Sequence, residues 1–159
     1  MGMRIDRFRS AHFFLSNLYL HPVRLGGVVY PCAEAAFQAA KTLDPAERAR
    51  FVTCPASGLR RAGRQVTLRP GWDALRVEVM RGIVAQKFRH PLLAQLLLDT
   101  GEARLEEGNT HGDRFWGTVN GVGENQLGRL LMEVRADIRA AAEAAVTARE
   151  NAPGGAGPV

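Results

Sequence analysis

The chain has 159 residues, a length that suits one domain. Hydrophobic residues make up 46% and charged residues 23%, which is typical of a globular protein, and no apolar run reaches the roughly 18–20 residues of a membrane span. The net charge is +5, from nineteen arginines, two lysines and sixteen acidic residues. Cys32 and Cys54 are too few for a disulfide scaffold and lack CxxC spacing.

These features predict a cytoplasmic protein with no membrane partner, because the first residues contain no signal-like apolar segment. We expect one domain over residues 1–150. The remaining residues, 151–159, are rich in glycine and proline and are predicted to form a disordered tail. The sequence does not indicate an oligomeric state.

The N-terminal part of the chain is predicted to form short strands. Residues 23–25 and 28–30 are rich in apolar side chains and flank Gly26-Gly27, a pair that favours a two-residue hairpin turn. Pro31 is expected to end the second strand, because proline has no N–H group to donate to a sheet.

An alanine-rich helix is predicted at residues 33–41. Its polar side chains, Glu34, Gln38 and Lys41, lie at i, i+4 and i+7 and so share one face. A carboxylate, an amide and an amine on an apolar helix could form a reactive site, since a desolvated lysine can lose its proton and act as a nucleophile. The alternative is that these three residues form the solvated side of a surface helix.

The later part of the chain is predicted to be mainly helical, giving a mainly α fold, or α+β, with a minor β-hairpin near the N-terminus. Asp44 and Ser57 are predicted N-caps of two short helices, and His90-Pro91 is expected to break a long amphipathic helix. The predicted helices are residues 45–51, 58–63, 72–89, 91–98 and 124–149.

Arginines are concentrated at residues 48–69, which suggests a phosphate-bearing partner, either a nucleotide or a nucleic acid. The preference for arginine over lysine in a chain rich in alanine and glycine is also what coding bias produces. The basic charge alone therefore does not define a ligand.

Residues 109–125 form a segment too long for a simple turn, and long ordered loops in compact domains are often functional. Asp113 could act as a general acid or base or bind a ribose hydroxyl, and Trp116 could stack on a planar ring. Gly121 and Gly123 precede a helix whose free N–H groups would suit a phosphate. The alternatives are a capping role for Asp113, a core position for Trp116 and plain turn chemistry for the glycines.

Four motifs, in this order and spacing over about residues 7–140, resemble the NADAR/YbiA-like family. They are Phe14-Leu15-Ser16-Asn17; Tyr30-Pro31 with Glu34-x-x-Phe37-Gln38-Ala39-Ala40-Lys41; Gly112-Asp113-x-Phe115-Trp116-Gly117; and Gly123-Glu124-Asn125-x-Leu127-Gly128-x-Leu130-Leu131-Met132. The chain departs from the family at Ala35, where histidine is usual, and at His111, where tryptophan is frequent. Both departures bear on which substrate is bound.

The resemblance implies a compact, mainly helical YbiA-like domain that is an N-glycosidase. Its expected substrate is a phosphorylated ribosyl or ADP-ribosyl small molecule, in which the bond between a nitrogen and C1′ is hydrolysed. The two candidates are intermediates of riboflavin biosynthesis and ADP-ribosylated guanine in nucleosides or DNA. No cofactor and no metal ion are expected.

The resemblance also implies roles for individual residues. Lys41 would attack C1′ or form a Schiff base with the opened sugar, Glu34 would move protons or orient the ribose, and Asp113 would assist proton transfer. The residues expected to bind substrate are Phe14, Ser16, Asn17, Gln38, Trp116, Gly117, Asn120, Gly123 and Asn125. Two other functions remain open, a non-catalytic ADP-ribose or nucleotide reader and a nucleic-acid-binding protein that uses the arginine-rich region.

Overall fold

The structure, a computed structural model, describes residues 2–153. Six α-helices and four short strands lie within this range. They are β1 (Arg4–Ile5), β2 (Leu20–Leu25), β3 (Val28–Cys32), α1 (Ala33–Ala40), α2 (Pro45–Thr53), α3 (Leu59–Gly63), α4 (Trp72–Lys87), α5 (Pro91–Asp99), β4 (Arg104–Leu105) and α6 (Gln126–Glu150). The predicted mainly α fold with a small hairpin near the N-terminus is confirmed. Residues 154–159 of the predicted tail lie outside the described residues.

The predicted hairpin is formed by β2 and β3, which pair in antiparallel fashion. Gly26 and Gly27 form the turn with φ values of +57° and +79°, a conformation that glycine adopts without steric cost. The expected end of the second strand at Pro31 is wrong, because β3 continues to Cys32, which pairs with Leu20. A two-stranded sheet tolerates this proline, since each strand has an edge that needs no donor.

A second, parallel pair joins β1 to β4, with Arg4 opposite Arg104 and Ile5 opposite Leu105. Sequence patterns did not predict it, because two-residue strands are too short to show an alternation of apolar and polar side chains. The pair places the N-terminus beside the segment that leads into the long loop at residues 106–125. The loop therefore starts from a fixed position.

Helix α1 lies at the centre of the molecule and contacts α2, α3, α4, β2 and β3. All eight of its residues are buried, and its five alanines let these neighbours approach closely. The alternative interpretation of its polar face as solvated surface is wrong, since Glu34 and Gln38 are only 8% and 5% exposed.

The shorter helices α2 and α3 agree with the sequence patterns except at the start of α3. Asp44 caps α2 as predicted, and its carboxylate accepts the Ala46 N–H group at 2.8 Å. Ser57 does not cap α3. The residue before α3 is Gly58, without a side-chain cap, because the chain enters the helix from a 3-10 turn that already supplies its first hydrogen bonds.

Helix α6 is the longest helix of the described chain and starts at Gln126 rather than near Glu124. Its first half packs on the core through Leu127, Leu130 and Leu131, whereas residues 141–150 are all exposed. Neither this helix nor any other within residues 2–153 combines the length and apolarity needed to cross a membrane.

Candidate active site

A cavity of about 210 Å³, here called the main cavity, opens beside the polar face of α1. Its walls come from α1, α3, α4, the start of α6 and the two loops that carry Asn17 and Asp113. The residues that line it are Asn17, Glu34, Phe37, Gln38, Lys41, Arg60, Arg64, Met80, Glu107, Asp113, Trp116 and Leu127. Six of the predicted site residues are therefore brought together, although they come from three separate parts of the sequence.

The three polar residues of α1 face this cavity together. Gln38 Nε2 donates to Glu34 Oε1 at 2.7 Å, a pairing across one helical turn that fixes both side chains. Gln38 Oε1 is buried and, within residues 2–153, accepts no hydrogen bond. This oxygen packs against Gly63, where an added Cβ would lie 1.8 Å from it, and a buried acceptor without a partner is costly.

Lys41 follows the last turn of α1 as its C-cap residue and is partly buried. Burial lowers the pKa of its ammonium group, and the nearby charges of Arg64 and Arg76 lower that pKa further. Glu34 opposes them, because a carboxylate stabilises the charged form. The net lowering of the pKa favours the neutral amine that a nucleophile requires.

The loop before β2 places Asn17 against α1. The Asn17 carbonyl accepts the Glu34 N–H group at 2.9 Å, while Asn17 Nδ2 contacts Met80 Sδ at 3.5 Å. Lys87 Nζ donates to the Ser16 carbonyl at 2.8 Å from the other side. These contacts hold the loop at both residues, and the Asn17 side chain is a fixed part of the cavity wall.

Asp113 caps its own turn and also lines the main cavity. Its Oδ1 accepts the N–H groups of Phe115 and Trp116 at 3.0 and 2.8 Å, which makes it a cap of its own turn, and its side chain also lines the main cavity. The Trp116 ring meets the rings of Phe37 and Phe115 edge-on, at centroid distances of 5.2 and 5.0 Å. Trp116 is thus held by aromatic packing on two sides.

Arg60, Arg64 and Glu107 line the main cavity and were not predicted as site residues. The two arginines lie four residues apart on and just after α3, so helical spacing could have shown that they share a face. The pKa of the Glu107 carboxyl is raised to about 7, chiefly by burial and also by the negative charge of Asp113, while Arg60 opposes the shift. No sequence pattern marks Glu107, because it belongs to a segment without periodicity.

Several predicted substrate-binding residues lie outside the main cavity. Phe14 is buried and lines a separate cavity beside α5, and Asn120 is exposed in another one near β1. Ser16 lines a second cavity of about 240 Å³ that shares Arg60 and Glu107 with the main cavity. Gly117 packs against the backbone, where an added Cβ would lie 2.0 Å from the carbonyl oxygen of Glu107.

The expected phosphate site at the start of α6, with Gly123 and Asn125, is not formed. The N–H groups of Gln126 and Leu127 already donate to the carbonyls of Phe115 and Trp116, both at 3.0 Å. Asn125 is 3% exposed, and its side chain bonds to the backbone. The start of this helix therefore binds its own loop, since loop carbonyls satisfy the same donors that a phosphate would use.

The two departures from the family pattern have different surroundings. Ala35 is fully buried and does not line the main cavity. His111 is exposed and lines the second cavity, next to Arg60 and Glu107. In residues 2–153 no group of three or more His, Cys, Asp or Glu side chains is placed to hold a metal ion.

Comparison with known proteins identifies the class of protein. The N-glycosidase YbiA of Escherichia coli strain K12 is 38% identical over 128 residues, covering 77% of this chain and 79% of that protein. An N-glycosidase of Nostoc punctiforme is 33% identical over 133 residues, covering 78% and 84%. The NMR structure of the E. coli protein YbiA superposes with a TM-score of 0.76 at 34% identity, covering 89% of each chain. The fold and these relatives are those of N-glycosidase-type enzymes, and the predicted enzyme class is confirmed.

The family model described as the NADAR domain matches residues 6–139. The chain belongs to the NADAR domain family, as its four motifs predicted. A riboflavin biosynthesis protein of Vibrio vulnificus is also similar, with 38% identity over 133 residues that cover 80% of this chain and 36% of that longer protein.

Proposed function

We propose that this enzyme hydrolyses the bond between a nitrogen and C1′ in a phosphorylated ribosylamine, of the type found among the intermediates of riboflavin biosynthesis. The observation that carries the proposal is the main cavity, in which an amine, carboxylates, two arginines and an indole ring face one space. The similarity to riboflavin biosynthesis proteins supports this substrate class. An ADP-ribosylated guanine is the second candidate, because a second cavity lies next to the main one, shares Arg60 and Glu107 with it and offers room for a longer ligand.

Lys41 is assigned the role of nucleophile. Its neutral Nζ bonds to C1′ as the leaving nitrogen departs with the electrons of the broken bond and takes up a proton. The sugar ring then opens to a Schiff base, which water hydrolyses to release the sugar and the free amine. The lowered pKa of Lys41 supports this role, because a larger fraction of the side chain is uncharged near neutral pH.

Glu34, Gln38 and Asp113 are assigned to the ribose and to the charge that develops on it. Breaking an N-glycosidic bond makes C1′ cationic, and nearby carboxylates stabilise that charge. Gln38 lines the main cavity and contributes its amide group to the polar wall that faces the ribose. Glu34 is held beside it by their mutual hydrogen bond.

Arg60 and Arg64 are assigned to the phosphate, since guanidinium groups bind phosphate oxygens in pairs. Both lie on the α3 side of the main cavity. Trp116 offers a face for the planar leaving group, and Asn17 completes the wall with a polar side chain. Replacing the arginines is thus expected to affect substrate affinity more than the chemical step.

The nucleophile can be tested by trapping. With a ribosylaminopyrimidine 5′-phosphate as substrate, borohydride should reduce the Schiff base and leave a covalent adduct that intact mass spectrometry detects. Lys41→Arg keeps the charge but removes the nucleophile, so the adduct should vanish and kcat should fall by at least about 10³-fold. Lys87→Met removes the chain's other lysine, which lies outside the main cavity, so the adduct should still form, even though the Asn17 loop loses the contact between Lys87 and the Ser16 carbonyl.

An adduct that persists in Lys41→Arg, or full activity of that variant, would remove Lys41 from this role. Absence of an adduct in an active wild-type protein would remove the Schiff base alone. Parallel assays with ADP-ribosylated guanosine decide between the two substrates, because their products separate by chromatography.

The two non-enzymatic alternatives make different predictions. A nucleotide reader would bind either substrate without releasing product. A nucleic-acid-binding protein would bind DNA with a steep dependence on salt concentration, and that affinity would survive both Glu34→Gln and Lys41→Ala. Binding measured by calorimetry at two salt concentrations, together with product analysis, separates these cases from hydrolysis.

A further inference from the structure

Glu107 lies two residues after β4 and lines both the main cavity and the second cavity. Its backbone is held on both sides. Its N–H group donates to Asn125 Oδ1 at 3.0 Å, and its carbonyl accepts the Thr118 N–H group at 2.9 Å. The carboxyl group therefore projects from a fixed backbone position into a space that Glu34 and Lys41 also face.

The Glu107 carboxyl is placed where an ionised group is poorly solvated. Its Oε2 is buried and has no hydrogen-bond partner within residues 2–153. Gly117 makes the space for it, because a Cβ at that position would lie 2.6 Å from Oε2. An ionised oxygen without donors in a buried site is unfavourable, and a protonated carboxyl is the form that such a site stabilises.

The charges around Glu107 include some that raise and one that lowers the pKa of its carboxyl group. The pKa of this carboxyl is raised to about 7, mainly by burial; Asp113 and Glu34 contribute to the rise and Arg60 opposes it. These three residues come from three walls of the main cavity: the long loop, α1 and α3. The other charged or titratable side chains on the two cavities are Lys41, Arg64, Arg9 and His111.

We propose that Glu107 is the general acid that protonates the departing nitrogen, an assignment that rests on the proposed N-glycosidase function. As the N–C1′ bond breaks, both of its electrons go to the nitrogen, which takes the proton from the Glu107 carboxyl. The resulting carboxylate regains a proton from the water that later hydrolyses the intermediate at C1′. No oxidant or reductant is needed, and water is the only co-reactant.

The hydrogen bonds of Glu34, Asp113 and Glu107 indicate different roles for these three carboxyl groups. Glu34 Oε1 accepts from Gln38, and Asp113 Oδ1 accepts from two backbone N–H groups, so both already serve as acceptors. Glu107 Oε2 accepts no hydrogen bond within residues 2–153, and the raised pKa of this carboxyl leaves it a proton to give near neutral pH. A basic leaving nitrogen needs such a proton, because it is otherwise expelled as an unstable anion.

The test compares Glu107→Gln with the wild-type protein, using the ribosylaminopyrimidine 5′-phosphate substrate over a range of pH. The variant should lower kcat by about 10²–10⁴-fold with a smaller change in KM. The wild-type rate should decline as the pH rises through about 7, the pKa of Glu107, while the variant lacks this decline. Glu107→Asp keeps a titratable carboxyl and should retain the decline at a reduced rate.

Glu102→Gln is the matched control. It makes the same chemical change at an exposed position five residues away, in a side chain that pairs with Arg139 on the surface, and it should leave kcat and the pH profile unchanged. A merely structural role of Glu107 would lower the rate of Glu107→Gln without altering the shape of its pH profile, and that result would overturn the assignment.

A titration of the wild-type protein with carbon-13-labelled glutamate gives a readout that does not depend on activity. One carboxyl signal should titrate near pH 7 and be absent from Glu107→Gln. Titration of Glu107 in the ordinary range of glutamate would overturn the proposal. An active wild-type protein with an equally active Glu107→Gln variant would overturn the acid alone, whereas a wild-type protein inactive on both substrates would overturn the proposed function and this role together.

Discussion

Both lysines of this arginine-rich chain are desolvated, but only Lys41 lines the main cavity. Lys87 is 1% exposed, donates to the Ser16 carbonyl at 2.8 Å and lies over the rings of Tyr19 and Phe88. Lys87 therefore serves to hold the loop that carries Asn17. Rarity in the sequence marked Lys41 and Lys87 equally, and only their surroundings separate a candidate nucleophile from a structural residue.

Lys87 predicts a pH dependence of stability. Burial lowers its pKa in the folded protein to about 7, whereas the pKa of an unfolded-state lysine is about 10.4. Between these values the unfolded chain binds more protons, so the free energy of unfolding should rise with pH by up to about 1.4 kcal/mol per pH unit. Lys87→Met lacks this contribution.

Urea unfolding of both proteins between about pH 6 and pH 9 measures the difference. The wild-type protein should gain stability relative to Lys87→Met as the pH rises. Parallel curves for the two proteins would contradict the buried, desolvated state of this lysine.

The loop at residues 106–125 is the element that completes the main cavity, and Asn125 holds it. Asn125 has a φ of +54°, and its side chain accepts from the Glu107 N–H group and donates to the Leu105 carbonyl at 2.9 Å. Glycine at position 128 lets this side chain pass, since an added Cβ would lie 2.4 Å from Asn125 Nδ2. Asn125 thus acts on the site through Glu107 rather than by contact with the main cavity.

Asn125→Gly removes both side-chain hydrogen bonds while keeping a residue that accepts positive φ. We expect a loss of about 2–3 kcal/mol in the free energy of unfolding, because two buried backbone groups lose their partners. Activity should also fall, since the backbone of Glu107 is no longer fixed. Unfolding curves and kcat measure the two effects.

Asp44→Ala is the control for this prediction. It removes the N-cap of α2 at an exposed position and should cost about 1 kcal/mol of stability with unchanged kcat. If both variants lose stability equally and both keep full activity, Asn125 does not support the site.

Sequence patterns predicted those elements whose signals are local. The Gly26-Gly27 turn, the Asp44 cap and the polar face of α1 each depend on residues within one or two turns of chain. The 3-10 helix at Ser10–Leu15 and the parallel pair of β1 and β4 were missed, because they pack on elements distant in sequence: the 3-10 helix on α5, and β1 on β4 about 100 residues away. Separation in sequence also hid the placement of Glu107 near Glu34, which lies on a different element.

At the scale of the whole molecule, the core and both cavities are formed without the far end of α6. Residues 141–150 of this helix are all exposed, and the helix contacts α4, α5 and β4. An exposed helical extension adds little stability, since most helical stability in proteins comes from packing of an apolar face.

A chain that ends after Ala142 should therefore fold and keep its activity. We expect the free energy of unfolding to change by less than about 1 kcal/mol, as for surface substitutions outside packed regions. Thermal unfolding and kcat of the shortened protein check this. A large loss of either would mean that the exposed part of α6 takes part in packing or in an interface.

The sequence by itself determined the family, the mainly helical fold with its hairpin, and the grouping of Glu34, Gln38 and Lys41 on one face, because helical periodicity and motif order are properties of the linear chain. Only the tertiary structure decided what surrounds these residues. In the folded protein Glu107 is buried near other carboxyl groups, and Arg60 and Arg64 line the same cavity as Lys41. The first N–H groups of α6 donate hydrogen bonds to loop carbonyls. Desolvation and hydrogen-bond satisfaction depend on neighbours that are distant in sequence, and they determine which polar groups remain available for chemistry.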